Sequence, residues 1–132
     1  MNKTQTVGLF LAQDGSLTEV TLNTQANGSN LNEMYHFLET RAVDVIRLPH
    51  NIDLWVDDEA LLHDDPRINV PLALTMALMV SAEDMPVLCG SGLFLTFNDE
   101  GESVSLTEQQ KQIIREHHAL TYSPAFRFHT GG

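Results

Sequence analysis

The sequence predicts a single α+β domain built on a mixed, mainly antiparallel sheet, and three observations carry that expectation. Short apolar or alternating runs recur with turn signals between them, which is the signature of strands. Asn30 with Glu33, and Thr107 with Gln110, are each spaced as a capping box ahead of a helical apolar pattern. A chain of 132 residues with 42% apolar content has enough material for one core and too little polarity for intrinsic disorder. The expected order is ββαββ(α)ββα with three helices, residues 1–120 forming the domain and 121–132 a C-terminal tail.

Each element has its own reason. Residues 6–12 form a short apolar strand, and Asp14-Gly15 signals a two-residue hairpin. Residues 16–22 alternate on the return, as a half-buried strand does. In the first helix Leu31, Met34, Tyr35 and Leu38 repeat at helical spacing, with Asn30 as N-cap. Residues 43–48 and 52–57 read as strands three and four. Pro49, which lacks an amide donor, belongs to the turn between them. Pro71 opens an apolar second helix over 72–80, rich in methionine, whose lack of a polar face implies burial on several sides. Residues 86–97 form the most apolar strand, broken at Gly90-Ser91-Gly92, and a near-continuous apolar run implies a central strand covered on both faces. Thr107 and Gln110 start a third helix over 108–119.

Charge is the most distinctive property of the composition. Seven Lys and Arg face 18 Asp and Glu, a net charge of −11. Between Arg67 and Lys111 there is no basic residue and no histidine, while Glu83, Asp84, Asp99, Glu100, Glu102 and Glu108 all fall there. A second group comprises Asp53, Asp57, Asp58, Glu59, Asp64 and Asp65. Such a field repels phosphate backbones, so direct nucleic-acid binding is not expected. No run approaches the roughly 18 apolar residues of a membrane span. The first residues do not read as a signal peptide, and the single Cys89 forms no disulfide framework, which suits a cytoplasmic setting.

Candidate chemistry is sparse. The 57–65 segment offers oxygen ligands and His63, but it lacks the central glycine of a calcium loop and is interrupted by Leu61-Leu62. His117 and His118 are adjacent, hence about 100° apart around a helix, and cannot act as the i, i+4 pair of a zinc enzyme. No metal or other cofactor is therefore expected. Cys89 could serve as a nucleophile beside the Gly90 to Gly92 amides, yet nothing places a histidine near it, and cysteine is usually buried. Trp55 is sharper. With Ile52, Leu54 and Val56 facing the core, the only tryptophan shares the opposite face with Asp53 and Asp57. An indole among carboxylates suits a cationic partner, unless a helix covers that face too.

Three stretches carry a resemblance: VDVIRLPHNIDLWVDDEALL, residues 69–75, and VLCGSGLFLTFNDEG followed by SLTEQQ. Over residues 43–114 the chain resembles a domain-of-unknown-function family of small proteins common in phages, plasmids and Gram-positive hosts. The resemblance implies a mobile-element setting and no chemistry.

The functional expectation is a non-enzymatic acidic binding protein that docks on a basic protein surface, such as a DNA-binding cleft. Its site would comprise Asp53, Trp55, Asp57, Asp58, Glu59, Asp64 and Asp65, with the 98–102 turn as an extension. A homodimer could pack through the tail aromatics Phe126 and Phe128. The rivals are a small-ligand binder, its pocket formed by the Met-rich helix and the Gly90 to Gly92 bend, and an enzyme using Cys89.

Overall fold

The computed structural model describes residues 5–27, 29–59, 69, 72, 75, 76 and 90–121. Among them the order is β1 (Gln5–Leu11), β2 (Leu17–Asn23), α1 (Leu31–Leu38), β3 (Val43–Leu48), β4 (Ile52–Asp57), β5 (Gly92–Phe97), β6 (Ser103–Val104) and α2 (Glu108–Leu120). The strands form one sheet in the order β2-β1-β5-β4-β3, with β6 pairing to β5 and every pair antiparallel. The architecture is α+β, with two helices delimited among the described residues. The expected helix over 72–80 lies largely outside them; Leu72, Thr75 and Met76 are helical and buried. The 86–89 part of the apolar run, Cys89 included, also lies outside, as do the tail aromatics.

The central position of β5 follows from its composition. Phe94 packs into one cluster with Leu9, Leu11, Ile52, Leu54, Val56, Leu72, Met76 and Ile114. Leu93 and Leu95, on the other face, join Leu22, Met34 and Leu38, with Trp55 and Phe10 packed against them. α1 therefore covers the face that carries Trp55, and α2 supplies Ile114 to the opposite one. Close approach of β1 to β5 requires Gly8, because a Cβ there would sit 2.5 Å from the Phe94 carbonyl oxygen and 2.6 Å from Leu95 Cδ2. At Gly92 a Cβ would meet Leu54 Cδ1 at 2.8 Å and Leu72 Cδ2 at 3.0 Å. The bend expected to line a ligand pocket is filled by these leucines.

Two local expectations need correction. The first hairpin closes with Ala12 N donating to Ser16 O, so its loop has three residues, 13–15. Gly15 at φ 95° supplies the left-handed residue that such loops require. Asn30 is the N-cap of α1, but its side chain makes no cap. Its Nδ2 donates to Ser103 O and Oγ, and its Oδ1 accepts from Thr24 Oγ1. Glu33, expected to complete the capping box, accepts from Asn23 N on β2 instead. The box at α2 forms as expected: Thr107 Oγ1 accepts from Gln110 N, and Gln110 Oε1 accepts from Thr107 N.

Ion pairs fasten α2 to β2. Lys111 Nζ lies 2.8 Å from Glu108 Oε2 and 3.2 Å from Glu19 Oε1, and Arg115 Nη2 lies 3.1 Å from the same Glu19 oxygen. Hydrogen bonds from Lys111 and then Arg115 hold the Glu19 carboxyl below its ordinary value of 4.5. The bond to Glu108 holds the Lys111 ammonium above its ordinary 10.5. A lowered acid stabilises the fold above its ordinary value and ceases to do so as pH falls through the lowered one. The raised Lys111 does the reverse: it stabilises below its ordinary value and stops as pH rises through the raised one. The tie is thus intact across the neutral range. Glu19→Gln is expected to flatten the acid limb of melting temperature against pH, and an acid limb identical to wild type contradicts this role.

Candidate functional site

The acidic corner resolves into residues of different character. Asp53, on β4, is 3% exposed, and its Oδ1 accepts from Arg47 Nε at 3.0 Å. The Arg47 guanidinium also lies 4.1 Å from the centroid of the Phe97 ring. The register pairs Arg47 directly with Asp53 across β3 and β4, which is why the two meet. Asp53 is therefore a buried, neutralised carboxylate and not part of an open acidic surface. Asp57, half-buried, accepts from Thr40 Oγ1 at 2.6 Å and from Glu59 N at 2.8 Å. Through Thr40 it ties the end of α1 to the end of β4. Asp58 is exposed, and its amide donates to Ala42 O. Asp64, Asp65 and His63 lie outside the described residues.

The structure does not bring the two acidic groups together. β4 and β5 run antiparallel with Asp53 opposite Leu95 and Val56 opposite Gly92. Residues 57–59 therefore leave the sheet beside the start of β5, whereas 98–102 follow its end. Six or so strand residues separate them, about 20 Å at 3.4 Å per residue. Asn98 organises the distant turn: its Oδ1 accepts from Glu100 N and Glu102 N, and its Nδ2 donates to Glu102 Oε1.

What residues 58 and 59 do join is a groove of about 790 Å³ at the C-terminal end of α1. Phe10 contributes to it from β1, Tyr35, His36 and Phe37 from α1, Glu39, Thr40 and Arg41 from the connection to β3, and Glu59 from beyond β4. The Phe10 and Phe37 rings lie 5.7 Å apart between centroids, and His36 meets Phe37 edge-on at 5.8 Å. Glu39 ends α1 in the left-handed region at φ 52°, with its amide donating to His36 O and that of Thr40 to Tyr35 O. A glutamate at a position that favours glycine is strained, and here it sets a carboxylate at the mouth of the groove. Sequence reasoning missed Tyr35, Phe37 and Glu39 as site residues; the absence of a glycine after the helix was the one available signal.

Three further features bound what this surface can do. Arg47, Lys111 and Arg115 are each committed to an internal carboxylate, so Glu39, Asp58 and Glu59 face solvent with Arg41 as the neighbouring cation. On the edge strands, Asp44 accepts from Val45 N and Glu33 from Asn23 N, which closes those amides to an added strand. No group of three metal-ligating side chains occurs among the described residues, and no described helix is long and apolar enough to cross a membrane. His117 and His118 bond backbone oxygens of Ile113 and Gly15.

The family model that matches this chain is described as a domain of unknown function, DUF3846, and the match covers residues 7–119. No curated protein and no solved structure matches it.

Proposed function

The chain belongs to the DUF3846 family, and since no chemistry is inherited from that family, we propose from the groove alone that the protein is a non-enzymatic binding protein for a basic, extended segment of another protein. One observation supports this reading above the others: Glu39 and Glu59 reach one groove from two separate elements, and Phe10, Tyr35 and Phe37 line it between them. Aromatic faces attract ammonium and guanidinium groups, and carboxylates pair with them bidentately. Each such contact near solvent contributes only about 0.5–1 kcal/mol, so useful affinity needs several basic residues in one segment. The net charge of −11 steers that segment in.

This reading narrows the acidic surface to Asp58, Glu59 and Glu39, with Asp57 holding the groove's two sides together. Asp53 drops out. Trp55, half-buried under α1, is not part of this groove. A cytoplasmic setting in a host of phages or plasmids belongs to the same reading; it rests on the lone cysteine and the family resemblance.

The test is binding of a fluorescent arginine-rich peptide to charge-reversed variants. Glu39→Lys with Glu59→Lys is expected to weaken binding about tenfold or more, because both rims become repulsive. Asp99→Lys with Glu100→Lys changes net charge equally but sits at the far end of the sheet, so a loss below about threefold is expected there. Equal losses in the two double variants would show that overall charge, and not this groove, governs binding.

A further inference from the structure

A second cleft, of about 290 Å³, opens at the other end of α1. Leu31 and Met34 line it from the helix, Trp55 from β4, and Glu102 and Ser103 from the turn into β6. Leu31 is 41% exposed, high for a large apolar residue, whereas Met34 is buried. Trp55 carries the anomaly. Its Nε1 is buried and has no hydrogen-bond partner. Buried polar groups are almost always paired, and an exception calls for a physical account.

The neighbouring polar groups cannot supply the missing acceptor, since they are already engaged with one another. Asn30 Nδ2 donates to Ser103 O and Oγ, and Thr24 Oγ1 donates to Asn30 Oδ1. Asn98 holds Glu102 through its side chain and through the backbone of the turn. The indole is left as the one unsatisfied donor beside an apolar wall and a fixed carboxylate. An anion is disfavoured by Glu102, and a purely apolar ligand leaves the donor unpaired at a cost of about 1–3 kcal/mol.

We infer that this cleft is a binding site for a short peptide unit: an amide carbonyl accepting from Trp55 Nε1, an aliphatic side chain against Leu31 and Met34, and a lysine or arginine head on Glu102. The volume lies at the low end of ligand sites, enough for about two residues. The site lies at the opposite end of α1 from the groove and stands or falls independently of it.

The chain has a single tryptophan, so its indole N–H gives one resonance in a nitrogen–proton NMR spectrum. In the free protein that proton is expected upfield, as an unbonded N–H. Titration with acetyl-leucyl-lysine amide is expected to move it downfield to saturation, and acetyl-leucyl-glutamate amide is expected to bind at least about tenfold more weakly through repulsion at Glu102. Trp55→Phe, which keeps the apolar shape, is expected to lose about fivefold or more in affinity for the lysine peptide while keeping its melting temperature, because no internal hydrogen bond is removed. An indole proton already downfield and unmoved by peptide, or equal affinity for the two peptides, overturns the assignment. If Trp55→Phe does not fold, the wild-type indole shift and the comparison of peptides still decide.

Discussion

Asn69→Ala is expected to lower folding stability by about 3–4 kcal/mol, because three backbone groups lose their partner at once. Asn69 is fully buried; its Nδ2 donates to Gly90 O at 2.7 Å and to Ala12 O at 3.2 Å, and its Oδ1 accepts from Leu72 N at 3.1 Å. One amide therefore joins the β1–β2 connection, the approach to β5 and the start of the helical stretch containing Leu72. Against a typical total of roughly 5–15 kcal/mol, that is a large share. Asn69→Asp separates the contributions. The carboxylate keeps the bond to Leu72 N but faces two carbonyl oxygens that it repels. Its protonation restores one donor, so this variant should gain stability relative to wild type as pH falls. Chemical denaturation of the two variants at neutral and acid pH checks both statements; a loss under about 1 kcal/mol for Asn69→Ala would mean that water replaces the amide without cost.

Gln110→Ala is expected to cost about 2–3 kcal/mol, the second large effect. Gln110 Nε2 donates to His50 O at 2.9 Å, to Thr96 Oγ1 at 3.1 Å and to Asn51 O at 3.3 Å, and its Oε1 completes the cap of α2. His50 at φ 65° and Asn51 at φ 60° are both left-handed without being glycine. Such residues are strained and persist where surrounding bonds hold them. The side chain at the start of α2 therefore fixes the turn that joins β3 to β4. Gln110→Glu gives a contrast between two electrostatic effects. A negative charge in the first turn of a helix is favourable by about 0.3–1 kcal/mol. Removing the donors and setting a carboxylate against the His50 and Asn51 carbonyls outweighs that, so Glu is expected to be no better than Ala. Equal stability of wild type and Gln110→Glu in a denaturation series would contradict this role.

Both keystones show where the sequence was readable. The bounds of β3 and β4 follow from alternation on either side of Pro49, and the Thr107–Gln110 box reads directly because its partners lie three residues apart. The apolar run around residue 93 was readable as a central strand because both parities are apolar. Asn30 was not readable as a bridge, because its competitor Ser103 lies 73 positions away. Alternation correctly set Asp53 and Trp55 opposite Ile52, Leu54 and Val56, but only the register between strands gives Asp53 its Arg47, and only the placement of α1 covers Trp55. The groove was invisible for the same reason. Its aromatic residues read as the stripe and flank of one helix, and its acids as separate loops. Thr40 reaching Asp57 across 17 positions is what makes them neighbours.

The central claim is that a basic segment is held at the C-terminal end of α1, and mapping backbone amide shifts while the labelled protein is titrated with an arginine-rich peptide tests it most directly. The account predicts that the largest changes fall at residues 35–41 and 58–59, and that they shrink as salt is added. Changes concentrated in the 98–102 turn or along α2, with the amides of Tyr35, Phe37, Glu39 and Glu59 unmoved, would contradict it.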